Sequence, residues 1–176
     1  IGSFFYLRFM IEVKQIHSDE IFIVNQLAHE IWPDTYKDIL SKDQIDYMLD
    51  WMYNVNTLQE EVQTGKLYYL LTENGRPAGF LGLEPNYPDA DMIQIHKIYV
   101  LPQRQGNGLG RALINQAMDV AFDLGGKSLN LNVNRFNKSV DFYKNVGFEI
   151  IGEEDIDIGK DYWMEDYIME LKLKNT

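Results

Sequence analysis

From Ile11 onward the apolar positions switch between two spacings. Ile11 and Val13 open a short strand. Ile21, Val24, Leu27, Ala28 and Ile31 then follow Ser18, Asp19 and Glu20 at helical spacing, which predicts a helix starting there. Trp32-Pro33 is expected to end it, because the residue before a proline is pushed out of helical geometry. Ser41-Lys42-Asp43-Gln44 reads as a capping box, with Ile45, Met48, Leu49 and Met52 behind it at i, i+3, i+4, i+7. Thr57-Leu58-Gln59-Glu60 reads as a second capping box, with Gly65 placed to stop that helix. Residues 66–73 and 78–84 flank Asn74-Gly75, a strong hairpin signal. Residues 92–101 form a β-branched, aromatic strand ending at Pro102. A glycine-dense turn leads into a helix with Leu113, Ile114, Ala117, Met118 and Ala121 on one face. Residues 128–134 alternate apolar side chains with Asn, a strand with one buried face. Asn137 can cap a short helix ending at Gly147, and Phe148–Ile151 and Trp163–Leu171 close the chain as strands. The pattern is mixed α/β (α+β), with antiparallel hairpins and at least one βαβ unit.

Composition narrows the function. The 176 residues suit a single domain over 11–176, with no repeats or linkers. The first ten, IGSFFYLRFM, are apolar apart from Arg8 and lack a small-residue cleavage site. They read either as tag or upstream residues or as an edge strand, and they carry no functional argument. The absence of cysteine excludes disulfides, thiolate zinc sites, iron–sulfur clusters and a cysteine nucleophile. With 27 acidic against 16 basic residues the formal charge is -11, which argues against nucleic acid and favours cationic small molecules. No apolar run approaches the ~20 residues of a membrane helix, so a soluble, cytoplasmic protein is expected, without a membrane partner.

The chemistry concentrates in Ile98-Tyr99-Val100-Leu101-Pro102-Gln103-Arg104-Gln105-Gly106-Asn107-Gly108-Leu109-Gly110-Arg111. A strand enters a loop rich in backbone N–H groups, and the loop opens directly into a helix. That is an anion site, because free amides and the positive helix end face the turn. The dinucleotide pattern G-x-G-x-x-G fails at Arg111, and the P-loop pattern has no match. The pattern Q/R-x-x-G-x-G is met by Gln105, Gly108 and Gly110, and a second segment follows as Asn137 through Phe142-Tyr143 to Gly147-Phe148. On these two motifs the chain resembles the GCN5-related N-acetyltransferase (GNAT) superfamily over residues 11–172, most weakly before residue 60.

The resemblance implies a GNAT fold: a mixed, mostly antiparallel sheet of six to seven strands, flanked by about four helices, with splayed central parallel strands. It also implies acetyl-CoA as acyl donor, an amine as acceptor and no metal. Gln105, Gly106, Asn107, Gly108, Leu109, Gly110 and Arg111 would hold the diphosphate. Ile98, Tyr99 and Val100 would offer backbone groups to the pantetheine arm, and Asn137 would touch the cofactor. Lys97 and Arg104 would add local positive charge. Tight packing alone could also explain a glycine-rich turn, but it leaves the second motif unexplained.

Tyr143 is the expected proton donor to the leaving thiolate, its alternative being simple packing beside Phe142. Glu84 and His96 are the candidate bases for the acceptor ammonium, and without cysteine a direct transfer in a ternary complex is favoured. Trp32 and Tyr36, with Tyr47 and Trp51 nearby in sequence, are candidates to bind a cation face-on, or else core. The run Glu153-Glu154-Asp155-Ile156-Asp157, with Asp161, Glu165 and Asp166, is either a solvated acidic face or a cleft mouth that attracts a polycation. The early helices give a loose likeness to spermidine/spermine-type acetyltransferases. A small polyamine-like acceptor ranks first, a protein or peptide amine second, and a non-catalytic CoA-binding module third. A homodimer is compatible with the sequence.

Overall fold

The computed structural model describes residues 10–173. The reading of the first ten residues therefore lies outside it, apart from Met10. Thirteen elements follow one another: β1 (Ile11–Ile16), α1 (Phe22–Tyr36), α2 (Lys42–Met52), α3 (Val55–Gln63), β2 (Leu67–Glu73), β3 (Arg76–Pro85), β4 (Met92–Val100), a 3-10 turn (Pro102–Arg104), α4 (Leu109–Leu124), β5 (Ser128–Asn134), α5 (Ser139–Val146), β6 (Glu149–Gly159) and β7 (Tyr162–Lys172). The strands make one sheet in the order β1-β2-β3-β4-β5-β7-β6, antiparallel throughout except between β4 and β5. Seven strands and five α-helices meet the expected architecture, with one helix more than expected.

Local signals set many of the boundaries. The Ser41 side chain accepts from the Gln44 amide at 3.2 Å and starts α2. Asn74 and Gly75 take φ of 52° and 76°, the left-handed pair that a two-residue turn between twisted strands requires. Gly125 ends α4 at φ 72°.

Three boundaries depart from the sequence reading. Helix α1 begins at Phe22, after a turn over His17–Glu20, and runs through Pro33 to Tyr36. Proline removes the bond to the His29 carbonyl, but His29 is exposed and that carbonyl can turn to water. Burial of Trp32 and Tyr36, 2% and 7% exposed, offsets the cost. The third helix is capped by Asn54, whose Oδ1 accepts from Thr57 N at 2.9 Å, so Thr57 receives the cap instead of providing it. Strand β6 is far longer than Phe148–Ile151, because its acidic stretch pairs with β7 from Glu149–Glu170 out to Gly159–Tyr162.

Two apolar clusters sandwich the sheet. Helices α4 and α5 cover one face through Leu113, Ile114, Ala117, Ala121, Val140 and Tyr143. Helices α1 to α3 cover the other through Ile31, Trp32, Ile45, Leu49 and Leu58. The functional feature lies at the middle of the sheet. Strands β4 and β5 pair only from Met92–Ser128 to Ile95–Leu131, and their remaining residues diverge. Strand β4 also carries an extra residue at His96, since Leu83 faces Ile95 while Gly82 faces Lys97. A bulge of this kind bends the strand and re-aims its side chains.

Candidate active site

The splay opens a cleft of about 1560 Å³, reached by β4, β5, β7, the loop before α4, and helices α1, α2 and α5. One end is the loop. Gly106 and Gly108 stand at φ 83° and 78°, where an added Cβ would meet nothing, so these glycines serve backbone conformation rather than packing. The consequence is visible in the hydrogen bonds. Gln105 N donates to Pro102 O and Ala112 N to Gly108 O, but the six amides from Gly106 to Arg111 find no acceptor among the described residues. Six adjacent donors at a helix start fit a diphosphate, and Arg111 and Lys138 stand on the same wall. Gly110 has a different reason: a Cβ there would lie 3.2 Å from the Phe142 ring.

Gln105 and Asn137 sit at this end but use part of their polarity within the chain. The Gln105 amide donates to Val100 O at 3.3 Å, bracing the loop against β4. Asn137 Oδ1 accepts from Ser139 N at 2.9 Å and from its hydroxyl at 2.8 Å, securing the start of α5. The cleft-side edge of Ile98, Tyr99 and Val100 has no neighbouring strand, since β5 has already diverged. Lys97 and Arg104 are not available to the loop. Lys97 is held by Glu61 at 2.8 and 3.1 Å, and Arg104 pairs with Glu73 at 3.2 Å.

Tyr143 also lines the cleft, buried on α5 with its ring against Phe142 and Phe148 at centroid distances of 5.3 and 5.8 Å. Burial pushes its phenol pKa above the usual tyrosine range, the nearby Tyr36 adds to this, and the Ser139 hydroxyl opposes it. The group therefore stays protonated at any working pH.

Glu84 and His96 form one unit. His96 Nε2 lies 2.6 Å from Glu84 Oε2, and an ionised carboxylate only accepts, so Nε2 carries the proton and Nδ1 is free to accept. Lys66 sits 3.9 Å from Glu84 and 3.1 Å from Glu61. Burial lowers the His96 pKa, and the Lys66 charge adds to this against the raising effect of Glu84, so the ring is neutral near pH 7. Of the pair only His96 lines the cleft.

Trp32 and Tyr36 belong to the core at the cleft's margin. The Trp32 ring lies 4.6, 5.3 and 5.8 Å from the rings of Tyr36, Tyr53 and Tyr99, and Tyr36 OH is 2.9 Å from Tyr99 OH. At 2% exposure Trp32 has no open face for a cation. Of the four aromatics singled out in the sequence, Tyr47 lies under a cation, the chain's own Lys160 at 4.7 Å.

Sequence reasoning passed over several residues here. Gln94, Asn130, Asn132, Asn134 and Glu61 line the cleft, as does Asp166, which the sequence named only as part of the acidic run. The regular Asn alternation of β5 was a signal: its apolar members pack under α4 while its amides form the cleft's polar floor. Among the described residues no group of three or more His, Asp or Glu is arranged to hold a metal. No helix among them is long and apolar enough to cross a membrane.

Comparison with known proteins gives a consistent picture. The peptidyl-lysine N-acetyltransferase YjaB of Escherichia coli K12 is 34% identical over 98 residues, 54% of this chain and 58% of that protein. The uncharacterized N-acetyltransferase MJ1207 of Methanocaldococcus jannaschii is 36% identical over 87 residues, 47% of this chain and 38% of that one. The chain thus spans only about two to three fifths of these curated relatives. The solved PaiA N-acetyltransferase of Thermoplasma acidophilum, in complex with coenzyme A, shares the fold with a TM-score of 0.78 at 24% identity, covering 93% of this chain and 99% of that one. The model of the Acetyltransferase (GNAT) family matches residues 24–148, which take in the amide-rich loop, Asn137 and Tyr143. The chain belongs to the acetyltransferase (GNAT) family.

Proposed function

We propose that the protein transfers the acetyl group of acetyl-CoA to a primary amine of a small cationic, polyamine-like acceptor, directly and within a ternary complex. The observation that carries this reading is the convergence, in one cleft, of six unpartnered loop amides and the Tyr143 phenol. The amides of Gly106–Arg111 hold the diphosphate, and the free edge of Ile98–Val100 aligns the pantetheine arm between the splayed strands.

A free alkyl ammonium with pKa about 10.4 is only about 0.04% neutral at pH 7, a barrier near 4–5 kcal/mol unless the proton has a receiver. His96 Nδ1 takes that proton through water, a role supported by the contact that holds Nε2 against Glu84. As the amine attacks the thioester, the Tyr143 hydroxyl donates a hydrogen bond to the sulfur as it gains charge. The Tyr36–Trp32 wall bounds the acceptor's path from the side of α1.

Charge supports this acceptor class: a net charge of -11 favours the approach of cations over anions. A peptide lysine is the second reading, favoured by the printed activity of the YjaB relative. A thiol-release assay with acetyl-CoA over amines and lysine peptides separates the two. Turnover of small amines is the expected result, and turnover of peptides alone would replace the first reading with the second. Acetyl-CoA bound tightly with no thiol released by any acceptor would reduce the protein to a binding module.

The cofactor half is tested separately by Gly108→Val. A β-branched residue at φ 78° is strained and must rotate the loop amides. Calorimetry is expected to show the Kd for CoA raised about tenfold. A Kd within twofold of the parent would mean that amide direction does not hold the cofactor.

A further inference from the structure

One wall of the cleft carries a charge that the transfer chemistry leaves unused. Asp166 on β7 is 5% exposed and shares the cleft wall with Met164 and Ile168. The β5–β7 register sets it opposite Asn134, and the β6–β7 register sets Glu154 beside it on the other side. No donor meets its carboxylate with hydrogen-bond geometry among the described residues. The Asn132 amide alongside donates to Glu154 at 3.2 Å and lies near enough to Asp166 to oppose the rise of its pKa. Arg135, the nearest cation by charge, is occupied by Asp155 at 2.7 Å, Glu153 at 3.4 Å and Glu165 at 3.5 Å. A largely buried carboxylate that faces the cleft without a cation of its own is a cost to the fold. It is retained most readily where a bound cation completes it.

We propose that Asp166, with Glu154 at the rim, binds a non-reacting ammonium group of the acceptor, so that the preferred acceptor carries at least two amines. This rests on the acetyltransferase reading above and adds a specificity residue to it. The two sites divide the labour. His96 takes the proton of the reacting amine, which must become neutral, while Asp166 faces an amine that must stay charged. The fit is to an organic cation rather than a metal: one carboxylate flanked by the Asn132 and Asn134 amides presents acceptor oxygens to an ammonium, while no group of three or more His, Asp or Glu among the described residues could hold a metal.

Electrostatics at the site agrees. Burial pushes the Asp166 pKa up to about 6 and the Glu154 and Asp155 charges add to it, against Arg135 and Asn132. From α1, Tyr36 faces the same carboxylate, and its phenol stays neutral because burial raises its pKa too. A carboxylate whose folded pKa is raised destabilises the fold increasingly as pH climbs through that value. Removing the charge is therefore expected to leave the protein at least as stable at pH 7.5, the opposite of what loss of a structural salt bridge does.

The test is the ratio of kcat/KM for 1,4-diaminobutane to that for butylamine, measured on the parent and on Asp166→Asn. The parent is expected to favour the diamine at least tenfold, and D166N to lower that ratio at least tenfold, chiefly through KM. Asp166→Glu should restore part of it, and Glu154→Gln on the exposed rim should lower it about threefold. Calorimetric titration of the CoA complex with the diamine should show the same loss without any turnover, and binding should weaken as pH falls through 6. That readout survives even if acetyl transfer to amines proves wrong. A parent ratio near one, equal losses for both amines, or a Tm that drops in D166N would overturn the assignment.

Discussion

Tyr143→Phe is expected to lower kcat at least tenfold, and by about 10²–10⁴ if the phenol acts as a full proton donor, while the Kd for acetyl-CoA changes less than twofold. The split follows from where the hydroxyl sits. The ring keeps its packing against Phe142 and Phe148 in the variant, so the fold and α5 are retained. The loop amides are untouched, so the cofactor still binds. Only the hydrogen bond to the departing sulfur is lost, an interaction that exists when that sulfur carries charge and not before. Such a loss appears in kcat rather than in binding, and a hundredfold fall corresponds to about 2.7 kcal/mol of transition-state stabilisation. The raised pKa of Tyr143 gives a second signature. Because burial holds the phenol protonated beyond the ordinary tyrosine range, ionisation of Tyr143 produces no alkaline loss of activity up to about pH 10. On the proposed mechanism the acid limb belongs to His96, whose pKa burial lowers from the ordinary histidine value, and it should persist in the variant. A kcat equal to the parent's would remove Tyr143 from the chemistry.

What the sequence discloses about this site depends on how local each feature is. The loop at Gly106–Arg111 is written in consecutive residues. Strand, glycines at positive φ and helix start all lie within fourteen positions, so the geometry proposed to hold the diphosphate reads directly. The Asn74-Gly75 hairpin and the Ser41 cap are legible for the same reason. The Glu84–His96 unit is half legible. Both residues stand out as candidates, but their 2.6 Å contact depends on the bulge that inserts His96 into β4. Asp166 is half legible too: its acidic stretch reads equally as solvated face or cleft mouth, and only the β5–β7–β6 pairing turns it inward while leaving Asp155 and Glu165 outside. Helix α1 running through Pro33 has the same origin. A local rule is overridden by burial of Trp32 and Tyr36 against residues far along the chain, Tyr53 and Tyr99.

Lys97 is the clearest case of long-range pairing, and it yields the second large effect. Its side chain is 7% exposed, with Nζ over the rings of Tyr53 and Tyr68 at 5.3 and 5.8 Å and in contact with both oxygens of Glu61. Burial lowers its pKa and the Lys66 charge adds to this, while the charge and hydrogen bonds of Glu61 oppose it. Glu61 is itself under burial, which pushes its pKa up, but Lys97, the Tyr68 hydroxyl and Lys66 outweigh it and bring the net shift down. Glu61→Ala leaves Lys97 charged and unpaired and takes the acceptor from Tyr68. It is expected to cost about 3 kcal/mol, the lower end for breaking a buried pair because Glu61 keeps some contact with water. For a domain of this size that is a fall in Tm of about 6–12 °C, read by calorimetry or circular dichroism. Glu61→Leu combined with Lys97→Met removes both charges and replaces them with apolar groups, so it should recover most of the loss. The pH dependence has a definite sign. A carboxylate with a lowered folded pKa stabilises above its unfolded value near 4.5, and that stabilisation fades as pH falls through the folded pKa. Parent and Glu61→Ala should therefore differ most at neutral pH and converge in acid. A difference below about 1 kcal/mol at pH 7, or one that grows on acidification, would show that Lys97 is accommodated by its two tyrosine rings alone.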